Sequence, residues 1–219
     1  MRAKNIFSIL LVTTLFLSCI DASAQNYHRG MKYRRHFRNH SESGKIYLGP
    51  IAGVNMANVV GDGAYNNAMK LGFHGGALAD FGAANYLIVE AGILYSVKGT
   101  QNDTMSSAKL NMNYLEMPLN AKVKLDNGIY FFAGPYFGLL MSAKATDGTN
   151  SADAKKFFSD FDFGFNLGLG YQMKNGLGVN FHYGLGLANV NTNIEGRPDT
   201  PSNTNTALQL SLIYFFPLN

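Results

Sequence analysis

His74, Asp80, Glu90, Lys98, Glu116, Lys122, Asp160, Asp162 and His182 are the side chains of this sequence best placed to do ionic chemistry. Hydrolysis by a triad needs a nucleophile, a base and an orienting acid within hydrogen-bond reach. Neither His74 nor His182 has a Ser beside it on its own alternate row. No HExxH, phosphate-loop or dinucleotide fingerprint occurs. The stretch "GFNLGLG" alternates as a strand with no helix behind it, which argues against phosphate binding. No metal ligands cluster, and Cys19 is the only cysteine. "TDGTN" at Thr146–Asn150 and "NDT" at Asn102–Thr104 could touch surface calcium but read as ordinary polar loops. The expectation is therefore no enzyme, no metal and no cofactor. What remains is an internal salt-bridge and hydrogen-bond network, because a charge away from water needs a partner. A proton or ion path, or a small-ligand site near one mouth, is the functional alternative for the same residues.

These residues sit on strands. From Asp160 to Val190, Phe161, Phe163, Phe165, Leu167, Leu169 and Tyr171 fall on one face, and Asp160, Asp162, Asn166, Gln172 and several glycines on the other. Successive side chains of a strand point to opposite faces, so this period of two marks a pleated strand. The same pattern predicts eight strands, near 45–56, 69–81, 86–99, 110–125, 129–143, 160–174, 177–190 and 206–216. Connections at 82–85, 126–128 and 175–176 are short. Asp126-Asn127-Gly128 and Asn175-Gly176 supply turn residues that accept positive φ. Connections at 57–68, 100–109, 144–159 and 191–205 are longer and polar. Short and long connections alternate, as they do in an outer-membrane barrel.

Composition agrees. The chain is 15% charged and 47% hydrophobic, with 24 Gly, 12 Tyr and 16 Phe; soluble domains carry about 25% charged residues. Arg2 and Lys4 precede an apolar run, Ile6 to Leu17, and Ala22-Ser23-Ala24 offers a cleavage site. That reads as a secretory leader, 1–24, and the run is short for a spanning helix, which needs about 20 residues. Leu17-Ser18-Cys19 leaves a lipoprotein reading open, although Phe16 fits it poorly. Residues 25–44 read as a basic linker containing "HRGMKYRRHFRNH", suited to anionic headgroups or simply solvated. From Ile46 on there are ten Lys or Arg against twelve Asp or Glu, and no nucleic-acid partner is expected.

The placement of the large apolar rows decides what solvent the wall meets. Eight strands enclose an interior only just wide enough for side chains. The Phe, Leu and Val rows would overfill it. They fit if they face lipid, with glycine, amides and a few charges inside. Residues 45–219 are thus expected to form an all-β, eight-stranded antiparallel up-and-down transmembrane barrel. Its turns would be periplasmic and its loops extracellular. A lipocalin-like soluble barrel would need an apolar lumen, and this lumen face is polar.

The segment "YLEMPLNAKVKL", Tyr114 to Leu125, resembles a stretch of the PorT-like outer-membrane β-barrel family of Bacteroidota. "SVKG" before it, "AGPYFGLL" after it, then "DFGFNLGLGYQ", "HYGLGLANV" and "ALQLSLIYFF" keep the family's order over residues 46 to 216. The resemblance implies an outer-membrane barrel for which no activity is assigned. The type IX secretion role of the group's namesake is not carried over. Two features depart from the pattern: the chain ends Pro217-Leu218-Asn219, and the segment 28–40 precedes the barrel.

The function expected is an integral outer-membrane protein with a structural, adhesive or envelope-accessory role and no open pore. The alternative is a binding module whose outer loops hold a ligand or partner protein. Lys155, Lys156, Phe157, Phe158 and Arg197 are the loop residues expected to recognise it. Outer-membrane lipids are the implied partners, with other envelope proteins beyond them.

Overall fold

The computed structural model describes residues 43–62, 64, 67–102, 108–191 and 202–218. The leader, nearly all of the linker and Arg197 lie outside the described residues. The strands are β1 (Ile46–Gly61), β2 (Asn67–Gly82), β3 (Leu87–Asn102), β4 (Lys109–Lys124), β5 (Ile129–Thr146), β6 (Ser151–Asp153), β7 (Phe161–Gln172), β8 (Leu177–Gly186), β9 (Asn203–Tyr214) and β10 (Phe216–Pro217). Eight long strands, β1–β5 and β7–β9, each pair antiparallel with the next, and β9 pairs back on β1 from Ile51↔Ile213 to Gly61↔Asn203. The sheet is closed. The two-residue β10 joins the start of β1, and the three-residue β6 joins the end of β5. The helical content of the described residues is one 3-10 turn, Lys155–Phe157.

Closure answers a physical demand. Hydrocarbon offers no partner for backbone N–H and C=O groups, so a sheet can cross it only without edges. Wall strands run from 10 to 18 residues, against about 9–11 needed for a tilted crossing. β1–β5 are the longer ones; on the long-connection side β5 runs on past the start of β7, while β1 and β9 end level at Gly61 and Asn203. β1 continues to Gly61 and β2 begins at Asn67. The first outer connection therefore shrinks to 62–66, much shorter than the 57–68 expected from sequence.

Two of the three short periplasmic turns, after β4 and after β7, are built alike. The carbonyl of Leu125 accepts from Gly128 N at 3.0 Å, and that of Met173 accepts from Gly176 N at 3.1 Å. Gly128 and Gly176 both have φ of 92°, a left-handed conformation that a side chain resists. Asn127 and Asn175 each accept a backbone N–H two residues on, from Ile129 at 3.0 Å and Leu177 at 3.1 Å. Positive φ at the glycine, closed by that glycine N–H hydrogen bond, is the geometry of a turn followed by a bulge residue.

The two faces of the wall differ sharply. Leu71 is 70% exposed, Phe161 69% and Leu167 65%, while Tyr114, Tyr130 and Lys122 are at most 1% exposed. A contiguous apolar belt this large would be untenable in water and is what lipid requires. Tyr86, Tyr171, Tyr214 and Phe216 are exposed near the short-turn end, where amphipathic rings meet headgroups.

Inside, bulk on β5 is matched by its absence on β7. Tyr130 pairs with Gly170, Phe132 with Gly168 and Tyr136 with Gly164. A Cβ at Gly168 would stand 2.5 Å from the Phe132 ring, and one at Gly164 would stand 2.6 Å from Cζ of Tyr136. Where β7 turns a larger group inward, β5 supplies glycine: Gly134 faces Asn166, and Gly138 faces Asp162. Glycine on the inward row thus makes room for the rings across the ladder.

Candidate functional site

The wall brings most of the expected polar residues into the lumen as two clusters, each centred on a buried lysine. In the lower one, β4 carries Lys122, which ion-pairs with Glu90 of β3 and reaches Asp80 Oδ2 of β2 at 2.9 Å. Asn120 Nδ2 donates to Glu90 Oε1 at 2.9 Å. Lys122 Nζ also lies 4.8 Å from the Tyr130 ring centre and 4.9 Å from that of Phe215. One cation therefore serves two carboxylates and two rings, and cation–π contact strengthens when water is excluded.

In the upper cluster, Lys98 of β3 ion-pairs with Glu116 of β4 and lies 4.5 Å from the Tyr136 ring centre. Asp162 accepts from Asn205 Nδ2 at 2.9 Å and from Tyr136 Oη at 3.4 Å. Asn205 Nδ2 also reaches Tyr114 Oη at 3.1 Å. Burial is nearly complete throughout, so each charge depends on these partners.

The histidines stand apart from any nucleophile–base–acid arrangement. His74 Nε2 meets Ser211 Oγ at 2.8 Å, while His182 stacks edge-on to Phe132 at 5.7 Å between centroids. Ser211 is a hydroxyl beside an imidazole, but the described residues give that histidine no carboxylate contact. Tyr130 Oη donates to Asn180. No grouping of three or more His, Cys, Asp or Glu able to hold a metal occurs among the described residues.

Asp160 is not in the lumen. Its inward position was inferred from its spacing to Asp162, but β7 starts at Phe161. Its side chain is 67% exposed and lies 3.4 Å from Lys155 Nζ. The position opposite is filled by Leu140, which belongs to an apolar cluster, and only the Asp160 carbonyl stays in the ladder, accepting from Leu140 N at 2.8 Å.

Two apolar clusters share the interior with these polar groups. Near the outer mouth Val59, Met112, Tyr114, Leu140, Ala143, Ala154 and Val190 form one cluster, with Phe158 packed on it. A second unites Ile51, Leu78, Leu94, Ile213 and Phe215. Between the lysine clusters lies a cavity of about 20 Å³. At the periplasmic mouth an open funnel of about 540 Å³ is edged by Lys45, Lys124, Asp126 and Lys174.

The outer loop 147–160 is not free chain. Ala154 N donates to Ala143 O at 2.9 Å and Ser159 N to Val190 O at 2.8 Å. Ala154 is buried and Phe158 half-buried, whereas Lys156 and Phe157 between them are exposed. Lys156 Nζ lies 5.0 Å from the Phe157 ring centre. Of the expected loop residues, Lys155, Lys156 and Phe157 come together here, and Phe158 turns inward as their anchor.

Sequence reading missed Tyr114, Tyr136 and Asn205 as partners of the ions and Ser211 as the partner of His74. Row parity held a signal for three of them: Tyr114 shares the inward row of Glu116, Tyr136 that of Tyr130 and Phe132, and Ser211 that of Gln209.

A closed eight-stranded barrel with a lipid-facing apolar wall and a filled polar lumen defines a small outer-membrane protein. The outer membrane protein beta-barrel domain family matches residues 24–191, and the chain belongs to that family. Its place is the outer membrane, embedded in lipid. No match was found among curated proteins. Similar solved structures include Neisserial surface protein A (14% identity, 78% of this chain and 97% of that one, TM-score 0.49). Others are Ail, the attachment invasion locus protein of Yersinia pestis (13%, 80% and 99%, 0.47), and OprG of Pseudomonas aeruginosa (12%, 81% and 98%, 0.43).

Proposed function

We propose that the protein is a non-catalytic binding module, whose lipid-embedded barrel holds residues 147–160 out for recognition. The observation that carries this is the split within four residues. Ala154 and Phe158 are tied down over the mouth, and Lys156 and Phe157 are left exposed between them. Binding residues commonly lie on loops held by a rigid scaffold. A cation beside a ring suits a partner that offers an anionic group next to an apolar patch. The wall is committed to lipid and the lumen to its own ion pairs, so neither competes for this role. The lumen network is structural in this reading, and the barrel does not conduct.

The test is adhesion of intact cells carrying the protein to immobilised acidic glycans or to envelope fractions, with Lys156→Glu/Phe157→Ser as the comparison. A fall of about tenfold, the scale of about 1.4 kcal/mol, with unchanged heat-modifiable gel mobility supports the reading. Equal adhesion by both forms removes it. An epitope tag at residue 149 should be labelled on intact cells.

An accessory role in envelope machinery is the second reading. It is favoured by the order of motifs around Tyr114–Leu125, which resembles the PorT-like group of Bacteroidota. Under that reading, co-purifying envelope proteins are unchanged by the loop variant. The leader 1–24 and linker 25–44 belong to the same proposal, and a mature amino terminus at Gln25 would support the cleavage site.

A further inference from the structure

The cavity between the lysine clusters has polar walls with unmet needs. Asn120, His182 and Gln209 line it, at 4%, 8% and 3% exposure. Each keeps one polar atom without a protein partner: Asn120 Oδ1, His182 Nδ1 and Gln209 Oε1. The amide orientation of Asn120 is fixed, because its Nδ2 donates to the Glu90 carboxylate. Its Oδ1 is therefore an acceptor facing no donor. His182 and Gln209 are direct cross-strand neighbours on β8 and β9. β4, which carries Asn120, lies four strands from β9 around the eight-stranded wall, on the far side of the lumen.

A group that donates twice and accepts once matches these three atoms. Buried waters typically make about three hydrogen bonds to otherwise unsatisfied polar groups, and a cavity of roughly 10–15 Å³ is enough for one. The volume here is about 20 Å³. We infer that this cavity is the binding site of one water molecule, held across the lumen by Asn120, His182 and Gln209. The water donates to Asn120 Oδ1 and Gln209 Oε1 and accepts from His182 Nδ1–H. Through Asn120 and Glu90 it ties the Lys122 cluster to the opposite wall. A metal ion fits less well: Glu90 and Glu116 already ion-pair with Lys122 and Lys98, and those ammonium groups repel a second cation.

Two measurements test the site. A crystal structure of the detergent-folded protein should show one density peak about 2.7–3.2 Å from all three atoms. An empty cavity overturns the inference. So does a peak held by five or more oxygens at about 2.3–2.6 Å, the distances of a bound hard cation. Independently, Gln209→Leu should shift the unfolding equilibrium about tenfold, the effect of one unmade buried hydrogen bond, and Asn120→Leu should shift it further, because it also removes the bond to the Glu90 carboxylate. Because both act on one water, the double variant should fall short of the product by about fivefold. Effects that multiply without coupling show that nothing is shared and overturn it.

Discussion

Tyr136 on β5 stands directly across the ladder from Gly164 on β7, and its ring occupies the space a side chain at 164 would need. The lumen is filled by such pairs, so its volume is set residue against residue. Gly164→Val should destabilise the barrel by about 1–3 kcal/mol, the usual cost of overpacking. Gly75→Ala is the control, since a Cβ there meets nothing nearer than 3.6 Å. Urea midpoints of the barrel folded in liposomes measure both. Equal shifts in the two variants would deny the ring–glycine fit.

Lys122 is the single cation bridging Asp80 and Glu90. Lys122→Met leaves two carboxylates buried side by side, and breaking a buried pair costs about 3–5 kcal/mol. The triple variant Lys122→Met/Asp80→Asn/Glu90→Gln removes the charges together and should recover most of that loss. Equilibrium unfolding in detergent compares them. A triple variant no more stable than the single one would mean that the ionic partners are not the reason.

Phe165 is exposed on the outward row, and Asn166 is buried beside it on the inward row. Arg on the lipid face near the midplane costs about 2–4 kcal/mol, while lumen changes act mainly on the interior. Phe165→Arg should therefore reduce folding yield in liposomes far more than Asn166→Ser. The opposite ranking would reverse the two faces.

The interior holds two ion clusters, two apolar clusters and a cavity of about 20 Å³. Aqueous channels belong to barrels of about 16–18 strands. Planar-bilayer recordings of the purified monomer should show no stable unitary current. Steady porin-sized steps would contradict a filled lumen.

The barrel was legible in the sequence because its two solvents impose a period of two on long segments. That period placed Asp80, Glu90, Lys98, Glu116, Lys122, Asp162, His74 and His182 on one face without any coordinates. Partner choice was not legible. It depends on register between strands, and register slips at bulges between Met69 and His74 and at Asn113/Tyr114. Row parity also fails at strand ends. Asp160 has the parity of Asp162, but the chain there is leaving the turn that follows β6, and its carboxylate meets Lys155. The extent of β1 to Gly61 was hidden for a related reason: Asn58, Gly61 and Asp62 look like loop residues, although the barrel holds Asn58 and Gly61 in β1, paired with Thr206 and Asn203 of β9.

A spin-label scan along β7, from Phe161 to Gln172, measures the inverted wall most directly. Labels replace one residue at a time in the barrel folded into liposomes, and access to oxygen, which concentrates in hydrocarbon, is read at each. The odd positions 161 to 171 should be oxygen-accessible and the even positions 162 to 170 protected, a clean period of two. Protection at the odd positions, or equal access along the strand to a polar relaxation agent, would contradict a wall that turns its apolar row to lipid.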